Sequence, residues 1–198
     1  MEFSTVAQAD RYLFYRFDTM PASRSSEWQD NPNFSMEIWK PSPRAPWPRG
    51  IARDKKLHFL FRTLLHFSGI FRSRESGAIL IYADTRVVHY SAFTPRYWRF
   101  PFLTMRDLQV GDTWTEPSFR GRGLAKQSLH RLLDLLSEPG RGIWYVVGDV
   151  NRASIKVAED CSFHLAGIGT RVRRVKGFDY YKLTTAEPGR GAAIPTGG

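Results

Sequence analysis

Two glycines alternate with two arginines directly before a helical pattern, in the segment RGRGLA at residues 120–125. The first turn of a helix exposes unpaired N–H groups and the positive end of the helix dipole. Glycines in front of it permit a positive φ and remove the side chains that would keep an anion from the backbone. The segment therefore fits a cradle of main-chain amides for a phosphate, to which the arginines add charge. A tight turn between a strand and a helix is the alternative explanation.

Two other phosphate-binding motifs are excluded at this position. A P-loop ends in Gly-Lys-Ser/Thr, whereas here Gly123 is followed by Leu124. A dinucleotide-binding fingerprint needs a third glycine and an acidic ribose partner after the next strand, and the sequence has neither.

Strand and helix patterns surround the glycine-arginine segment in a regular order. Two β-rich runs, GAILIYA and VVHYSAFT, are separated by Asp84-Thr85-Arg86 and predict a hairpin. A third strand at Asp107–Thr115 leads into the segment, and the apolar stripe after it predicts a helix that ends at Pro139-Gly140. The run Ile143–Gly148 is typical of a strand buried on both faces, as parallel strands are. Asn151 can cap a short helix after that strand.

Shorter signals precede residue 75. Aromatic-rich runs at Tyr12–Phe17 and Phe34–Trp39 predict two strands, and prolines keep Lys40–Gly50 out of helix and sheet. A helix is predicted next, with His58 and Arg62 away from its apolar face. That face consists of Leu57, Leu60, Phe61, Leu64 and Leu65.

The composition limits the function classes. A formal net charge of +10 attracts polyanions, but the arginines are spread from Arg11 to Arg190 without a base-reading module. This favours small phosphorylated ligands over specific binding of nucleic acid. The one cysteine, Cys161, can form neither an internal disulfide nor a zinc-type cluster, so no metal is expected. No apolar run is long enough to span a membrane, and no secretory signal is visible, so a cytoplasmic location is expected.

Two segments together carry a resemblance to a known family. RGRGLA matches the Arg/Gln-x-x-Gly-x-Gly/Ala pyrophosphate loop of the GNAT superfamily of acyl-CoA N-acyltransferases, and it lies between a central strand and the following helix, as in that family. The stretch from Asn151 to Ile155, ending at Ser162-Phe163, is similar to the family's Asn-x-x-Ala/Ser-Ile…Gly-Phe stretch. The resemblance covers about half of the chain, from Gly77 to Phe178.

The resemblance implies a fold, a co-substrate and a set of binding residues. The expected fold is α+β, with a mixed, mostly antiparallel central sheet that is splayed at the middle and flanked by helices on both faces. Acetyl-CoA is the expected co-substrate, with its pyrophosphate on the loop amides and its pantetheine arm along the end of the central strand. The residues implied to bind it are Trp114, Thr115, Arg120, Gly121, Arg122, Gly123, Leu124, Ala125, Asn151 and Ser154.

One domain is expected over residues 1–185, because the length suffices for one sizeable core and no internal repeat is visible. A divergent part at 1–75 would precede a cofactor-binding core at 77–183. Two closing strands are expected around Ile168 and Tyr180. Residues 186–198 have no apolar run to bury and are expected to form a mobile tail.

The sequence departs from the family at the positions that usually carry its acid and base. The family's tyrosine acid falls on Ala158, and its glutamate base falls near Gln109. His89, on the neighbouring strand, titrates in the right range and is predicted as a base, although a structural hydrogen bond would explain it equally. Asp107 is predicted as a second catalytic residue; an ammonium anchor or a surface position at the strand entrance are the alternatives.

A loop rich in aromatic residues and arginine lies between the hairpin and the central strand, and it could stack a ring and bind phosphate. A hydrophobic plug over the sheet is the alternative. Arg99 in this loop and Gln109 on the central strand are the residues predicted to contact the acceptor.

The expected reaction is N-acetylation of a small-molecule amine, an amino sugar or a nucleotide-linked, anionic amino sugar, by direct attack in a ternary complex. Similarity to GNAT members of bacterial surface-polysaccharide pathways points to this acceptor. Acetylation of an amino acid, peptide or aminoglycoside is an alternative, as is a non-catalytic coenzyme-A-binding module. A homodimer is left open.

Overall fold

An eight-stranded sheet organises the chain in this computed structural model, which describes residues 11–18, 33–172 and 179–185. The strand order is β2-β3-β4-β5-β6-β1-β7-β8. The strands are β1 (Arg11–Asp18), β2 (Ser35–Trp39), β3 (Gly77–Ala83), β4 (Arg86–Pro95), β5 (Leu108–Thr115), β6 (Gly142–Gly148), β7 (His164–Val172) and β8 (Tyr180–Thr185). The helices are α1 (Lys56–Phe67), α2 (Leu124–Leu136) and α3 (Arg152–Asp160).

The strand pairing confirms the expected mixed, mostly antiparallel sheet. Neighbouring strands are antiparallel throughout, except for the pair β5 and β6, which is parallel. The predicted hairpin forms between β3 and β4. The two closing strands form as β7 and β8, whereas the tail predicted at 186–198 lies outside the described residues.

Strand β1 lies inside the sheet rather than at its edge. It pairs antiparallel with β6 on one side and with β7 on the other, and Phe14 at its centre has no exposed surface. The pairing joins the beginning of the chain to the strands that follow the glycine-arginine segment. The part before residue 75 therefore completes the same sheet.

The sheet is split between β5 and β6. These strands pair over only three positions, from Leu108–Ile143 to Val110–Tyr145, and then separate. Past this point β5 also carries a bulge. Tyr90 of β4 pairs with Trp114 and Ala92 pairs with Gly111, so two steps along β4 correspond to three steps along β5. An extra residue on one strand bends it and increases its twist. The bulge residue Asp112 has a φ of 48°, in the left-handed region.

Helices cover both faces of the sheet, as expected. On one face α2 and α3 pack on a cluster that includes Val110, Leu129 and Ile155. On the other face α1 packs through Phe59, whose ring lies 5.0 Å from Trp39 and 5.1 Å from Tyr90. The split between β5 and β6 therefore has one helical layer on each side.

The orientation predicted for α1 is wrong. Its buried residues are Phe59, Arg62 and Thr63, whereas Leu57 and Leu64 of the predicted apolar face are exposed. The reason is tertiary: Phe59 enters an aromatic cluster, and Arg62 forms an ion pair with a residue of the sheet.

The aromatic loop before β5 packs mainly as a plug. Phe100 and Leu103 are buried in a cluster with Phe14 of β1 and Trp144 of β6. The loop therefore covers the strands beside the split, as the alternative interpretation of this segment expected.

Candidate functional site

The glycine-arginine loop has the backbone geometry of an anion cradle. Gly121 and Gly123 both have a φ of 75°, and α2 begins at the next residue, Leu124. No side chain caps the first turn of α2, so its N–H groups are not satisfied by a cap. A Cβ atom added at Gly121 would meet no other atom within 4 Å. Open space therefore lies beside the amides, and a ligand could occupy it.

The two arginines of the loop lie on its exposed side. Arg120 Nε donates to the carbonyl oxygen of Thr115 at 3.3 Å, and the Arg122 guanidinium lies 4.9 Å from the Phe119 ring. A cavity of about 570 Å³ lies on the β3–β4 side of the loop. It is lined by Asn33, Phe34, Ala83, Asp84, Phe119, Arg122, Leu124 and Gln127.

A tyrosine hydroxyl bridges the split. Tyr145 occupies the last position at which β6 pairs with β5, and its hydroxyl hydrogen-bonds to Thr113 of β5 and Ser154 of α3. Burial raises the pKa of Tyr145, and these two hydrogen bonds oppose that shift only in part. The hydroxyl is therefore protonated at neutral pH and is placed where three elements meet.

Asn151 and Ser154 lie at the beginning of α3, on the far side of the split. Asn151 Oδ1 accepts a hydrogen bond from the backbone N–H of Ser154 at 3.1 Å, which confirms the predicted N-cap. Asn151 is exposed and Ser154 half-buried.

These residues fit an extended ligand that carries a diphosphate, such as acetyl-CoA. The uncapped amides of α2 and the open space at Gly121 suit the diphosphate. Beyond Val110 the edge of β5 that faces the split has no strand partner, so its backbone groups are available to an amide-containing arm. Ser154 lies on the opposite side of that opening.

Trp114 and Thr115 direct their side chains to opposite faces of β5. Trp114 stacks on Tyr90 at 5.7 Å on the α1 side. Thr115 Oγ1 lies 2.8 Å from His89 Nδ1, on the α2 side. A contact with the predicted pantetheine arm would therefore come from the backbone of this segment.

His89 is the centre of a buried polar network. It has no exposed surface, and its Nε2 lies 2.7 Å from Ser128 Oγ and 3.1 Å from Ser91 Oγ. Ser91 Oγ in turn lies 3.1 Å from Thr113 Oγ1, so the network reaches the residue that bonds Tyr145. Burial lowers the pKa of His89 to about 3. In this conformation His89 is a neutral structural residue without access to an acceptor.

Asp107 lies at the other end of β5 from the glycine-arginine loop. It precedes the first residue of the strand, about 26 Å from Thr115 at roughly 3.3 Å per residue. It is buried, and it accepts hydrogen bonds from the backbone N–H groups of Thr104 and Gly142 and from Trp144 Nε1. These contacts hold the beginnings of β5 and β6 together. The structure does not bring Asp107 and His89 into one site, and Asp107 is not a surface residue.

The bulge brings together three titratable residues that the sequence patterns did not connect. Arg62 of α1 donates from Nη1 to Asp112 Oδ2 at 2.9 Å, and His58 Nε2 lies 4.0 Å from the same oxygen. Burial is the main cause that lowers the pKa of His58, and Asp112 opposes it. His58 is therefore neutral at neutral pH, and its Nε2 has no hydrogen-bond partner. The sequence contained one signal of this cluster: His58 and Arg62 are four residues apart, so a helix places them on the same side.

The two residues predicted to contact the acceptor lie on this side of the sheet. Gln109 is buried; its Nε2 donates to the carbonyl oxygen of Val110 at 2.7 Å, and its Oε1 accepts from Thr94. Arg99 hydrogen-bonds to Tyr97. The Asp112 carboxylate is close enough to Tyr97 for its charge to raise the pKa of the Tyr97 hydroxyl. Arg99 is thus the better placed of the two for a ligand on the α1 side.

Comparisons with known proteins agree with this geometry. The sequence model of the Acetyltransferase (GNAT) family matches residues 33–163, which is more than half of the chain and includes the split, the loop and the bulge. The chain belongs to the GNAT acetyltransferase family. No curated protein sequence matches it.

Solved structures show the same fold at low identity. A GNAT-family protein from Novosphingobium aromaticivorans matches with a TM-score of 0.50 and 13% identity, over 82% of this chain and 62% of that one. A Drosophila protein matches with a TM-score of 0.51 and 9% identity, over 89% and 52%. A tandem GNAT protein from the clavulanic acid biosynthesis pathway matches with a TM-score of 0.49 and 13% identity, over 80% and 51%. The chain thus spans about half to three fifths of the length of these structures.

The GNAT family uses acetyl-CoA, and the uncapped loop has a backbone geometry that suits the diphosphate of this co-substrate. Within the three described ranges, no group of three or more His, Cys, Asp or Glu side chains could hold a metal ion. In the same ranges, no helix has the length and apolar character needed to cross a membrane.

Proposed function

We propose that this GNAT acetyltransferase moves an acetyl group from acetyl-CoA to the primary amine of a small acceptor, an amino sugar or a nucleotide-linked amino sugar. One observation supports the proposal above the others. The opening between β5 and β6 has an uncapped glycine loop on its α2 side, and on its α1 side the neutral imidazole of His58 lies beside the Asp112 carboxylate of β5. A thioester and an amine can therefore approach the same opening from opposite faces of the sheet.

The loop holds the co-substrate. Acetyl-CoA supplies an activated acetyl thioester, and the amides from Gly121 to Ala125 bind its diphosphate without displacing a capping side chain. Arg122, which is exposed and close to these amides, adds positive charge. Binding here orients the arm toward the edge of β5 that lacks a partner.

The backbone of β5 polarises the reacting carbonyl. Past Val110, the N–H groups that face the split have no partner in β6, and the bulge at Asp112 turns this stretch of strand away from regular pairing. Fixed N–H groups of this kind stabilise the negative oxygen of a tetrahedral intermediate. This contribution needs no particular side chain.

His58 and Asp112 act on the acceptor amine. The neutral imidazole of His58 can take a proton from the attacking amine, and the half-exposed carboxylate of Asp112 can attract the ammonium form before deprotonation. Arg62 fixes Asp112 by a 2.9 Å ion pair. We assign the base role to His58, because His89 and Asp107 are buried with their polar atoms already bonded.

Tyr145 supplies the proton for the leaving thiolate. The usual position of the family's tyrosine is occupied by Ala158, which is fully buried and has no proton to give. The Tyr145 hydroxyl reaches the split from β6 instead, in contact with Ser154 of the same helix as Ala158. Its raised pKa keeps it protonated as the reaction requires.

Charge supports a nucleotide-linked, anionic acceptor. Arg99 and Tyr97 lie on the α1 side of the sheet, where a phosphate and a ring could bind, and the net charge of +10 attracts an anionic acceptor. A cationic aminoglycoside would be attracted less by the same field.

The test is turnover on matched acceptors. Purified protein is incubated with acetyl-CoA and a panel of amino sugars, free and nucleotide-linked, with aminoglycosides, amino acids and peptides alongside, and thiol release is followed. We expect turnover with the amino sugars and faster turnover with the nucleotide-linked ones. Turnover only with another class would overturn the acceptor assignment. Tight binding of acetyl-CoA with no turnover on any amine would show a binding module instead of an enzyme.

A further inference from the structure

An apolar face of α1 is left exposed by the residues that the structure describes. Leu57, Phe61 and Leu64 follow the i, i+4, i+7 spacing of one helical face and are exposed by 74%, 56% and 60%. Phe67, on the adjoining part of the helix surface, is 49% exposed. A helix packed on a sheet normally buries such a face, so this arrangement indicates a partner surface outside the described chain.

The exposure is concentrated in one region. Seven of the eleven large apolar side chains that are exposed in the described residues lie between positions 38 and 70. Trp47 is among them, and its ring lies 5.6 Å from Lys56 Nζ at the first position of α1. An aromatic ring and a lysine next to an apolar helix face are typical of surfaces that enter the lipid headgroup layer.

The segment that carries the exposed face has more exposed cationic than acidic residues. The exposed cationic residues of the segment from 33 to 76 are Lys40, Arg44, Arg49, Arg53, Lys56, Arg72 and Arg74. Its exposed acidic residues are Glu37, Asp54 and Glu75. Each lysine or arginine close to an anionic bilayer adds to the attraction, and the effect is screened by salt.

A second copy of the chain fits this face less well. Four half-exposed leucine and phenylalanine side chains offer on the order of 400 Å², since an aromatic side chain buries about 150–250 Å² when fully covered. A stable dimer buries about 800 Å² on each partner. Two copies would also bring the same cationic residues together.

We propose that the outer face of α1, formed by Leu57, Phe61, Leu64 and Phe67, docks on the surface of an anionic lipid bilayer. The helix lies in the interface plane, its leucine and phenylalanine side chains enter the boundary between headgroups and acyl chains, and Lys56 and Arg53 contact anionic headgroups. Nothing in this docking depends on acetyl transfer.

The experiment is co-sedimentation of the purified full chain with vesicles. One set contains equal parts of phosphatidylcholine and phosphatidylglycerol, and the other contains phosphatidylcholine alone. We expect the protein to sediment with the anionic set only and to be released by high salt. The double variant Phe61→Ser, Leu64→Ser should partition at least about tenfold less, because it removes two inserted apolar side chains. Both positions are exposed, so the fold should persist.

The control is the double variant Leu135→Ser, Val150→Ser, which removes two exposed apolar side chains at other positions and should bind as the wild type does. Three outcomes would overturn the proposal. The wild type could remain in the supernatant with anionic vesicles, or the α1 variant could bind unchanged. Sedimentation equilibrium could instead show a dimer that Phe61→Ser, Leu64→Ser dissociates, which would assign the face to a second copy.

Discussion

Tyr15 and Tyr145 stand directly opposite each other on the antiparallel strands β1 and β6, yet their hydroxyls have different partners. Tyr15 donates to Glu159 Oε1 at 2.8 Å on the exposed side of α3. Tyr145 bonds Thr113 and Ser154 at the split. Both rings belong to the same apolar cluster, but only the Tyr145 hydroxyl lies at the split, where we propose that it acts as the acid.

This pair gives a matched test of the proposed acid. Tyr145→Phe should lower kcat about a hundredfold with little change in the Kd for coenzyme A, because a single proton donor is lost. Tyr15→Phe should leave kcat nearly unchanged. Steady-state kinetics and calorimetric titration measure both. Since burial raises the pKa of Tyr145 above 10, the wild-type rate should hold through mildly alkaline pH. Equal rates in the two variants would remove Tyr145 from the mechanism.

A second prediction concerns the base. His58→Gln should lower kcat/KM about a hundredfold and abolish the acid limb of its pH profile. A base must be neutral to accept a proton, and the pKa of His58 lies below 6.5, so the wild-type limb should appear only below pH 6.5. His66→Gln is the control, because His66 is on the same helix and bonds Ser76 rather than facing Asp112. An acid limb that persists in His58→Gln would assign the base elsewhere.

Two glycine variants with the same backbone strain, one in the loop and one outside it, test the anion cradle. Gly123→Ala should cost about 1–2 kcal/mol of unfolding free energy, because alanine is strained at a φ of 75°. It should also weaken coenzyme A binding at least about tenfold, since the new methyl group disturbs the cradle amides. Gly69→Ala, in the turn after α1, meets an almost identical φ of 74° with nothing within 4 Å. It should lose similar stability in urea unfolding while keeping its affinity; a shared loss of affinity would argue against the cradle.

Asp107 is expected to stabilise the sheet rather than to act in catalysis. Asp107→Asn puts an amide group where the carboxylate accepts three hydrogen bonds, which should cost about 1–3 kcal/mol. Chemical unfolding measures this loss. The kcat of the folded fraction should not change, and a large fall in kcat without a loss of stability would restore Asp107 as a catalytic candidate.

His89 should make the fold sensitive to acid. Its pKa is about 3 in the folded protein and near 6.5 in the unfolded chain, so the unfolded state binds the proton more readily. Stability from this group is complete above pH 6.5 and declines as the pH falls toward 3. Between about pH 8 and pH 5 the loss is about 2 kcal/mol. His89→Gln should flatten this part of the urea-unfolding profile, and an unchanged slope would contradict the assignment.

The sequence by itself determined the local elements. Two β-rich runs and the turn at Asp84-Thr85-Arg86 specify the β3–β4 hairpin, and Asn151 specifies the beginning of α3. The two glycines specify a loop that needs positive φ at residues 121 and 123. These features depend on interactions between near neighbours, which a linear pattern contains. The site residues outside the loop were not predictable in this way, because Asp112 meets His58 and Arg62 from 50 or more positions away.

Only the tertiary structure decided which strands pair and which faces are buried. Strand β1 enters between β6 and β7, although it precedes both by more than a hundred residues. Helix α1 turns Leu57 and Leu64 outward because Phe59 and the ion pair of the buried Arg62 with Asp112 hold its other side on the sheet. His89 and Asp107, which the sequence analysis proposed as catalytic residues of one site, are far apart, because His89 of β4 pairs with Thr115 at the end of β5 and Asp107 precedes the beginning of β5. Periodicity indicates which residues share a face of a helix or strand, but long-range contacts determine what that face packs against.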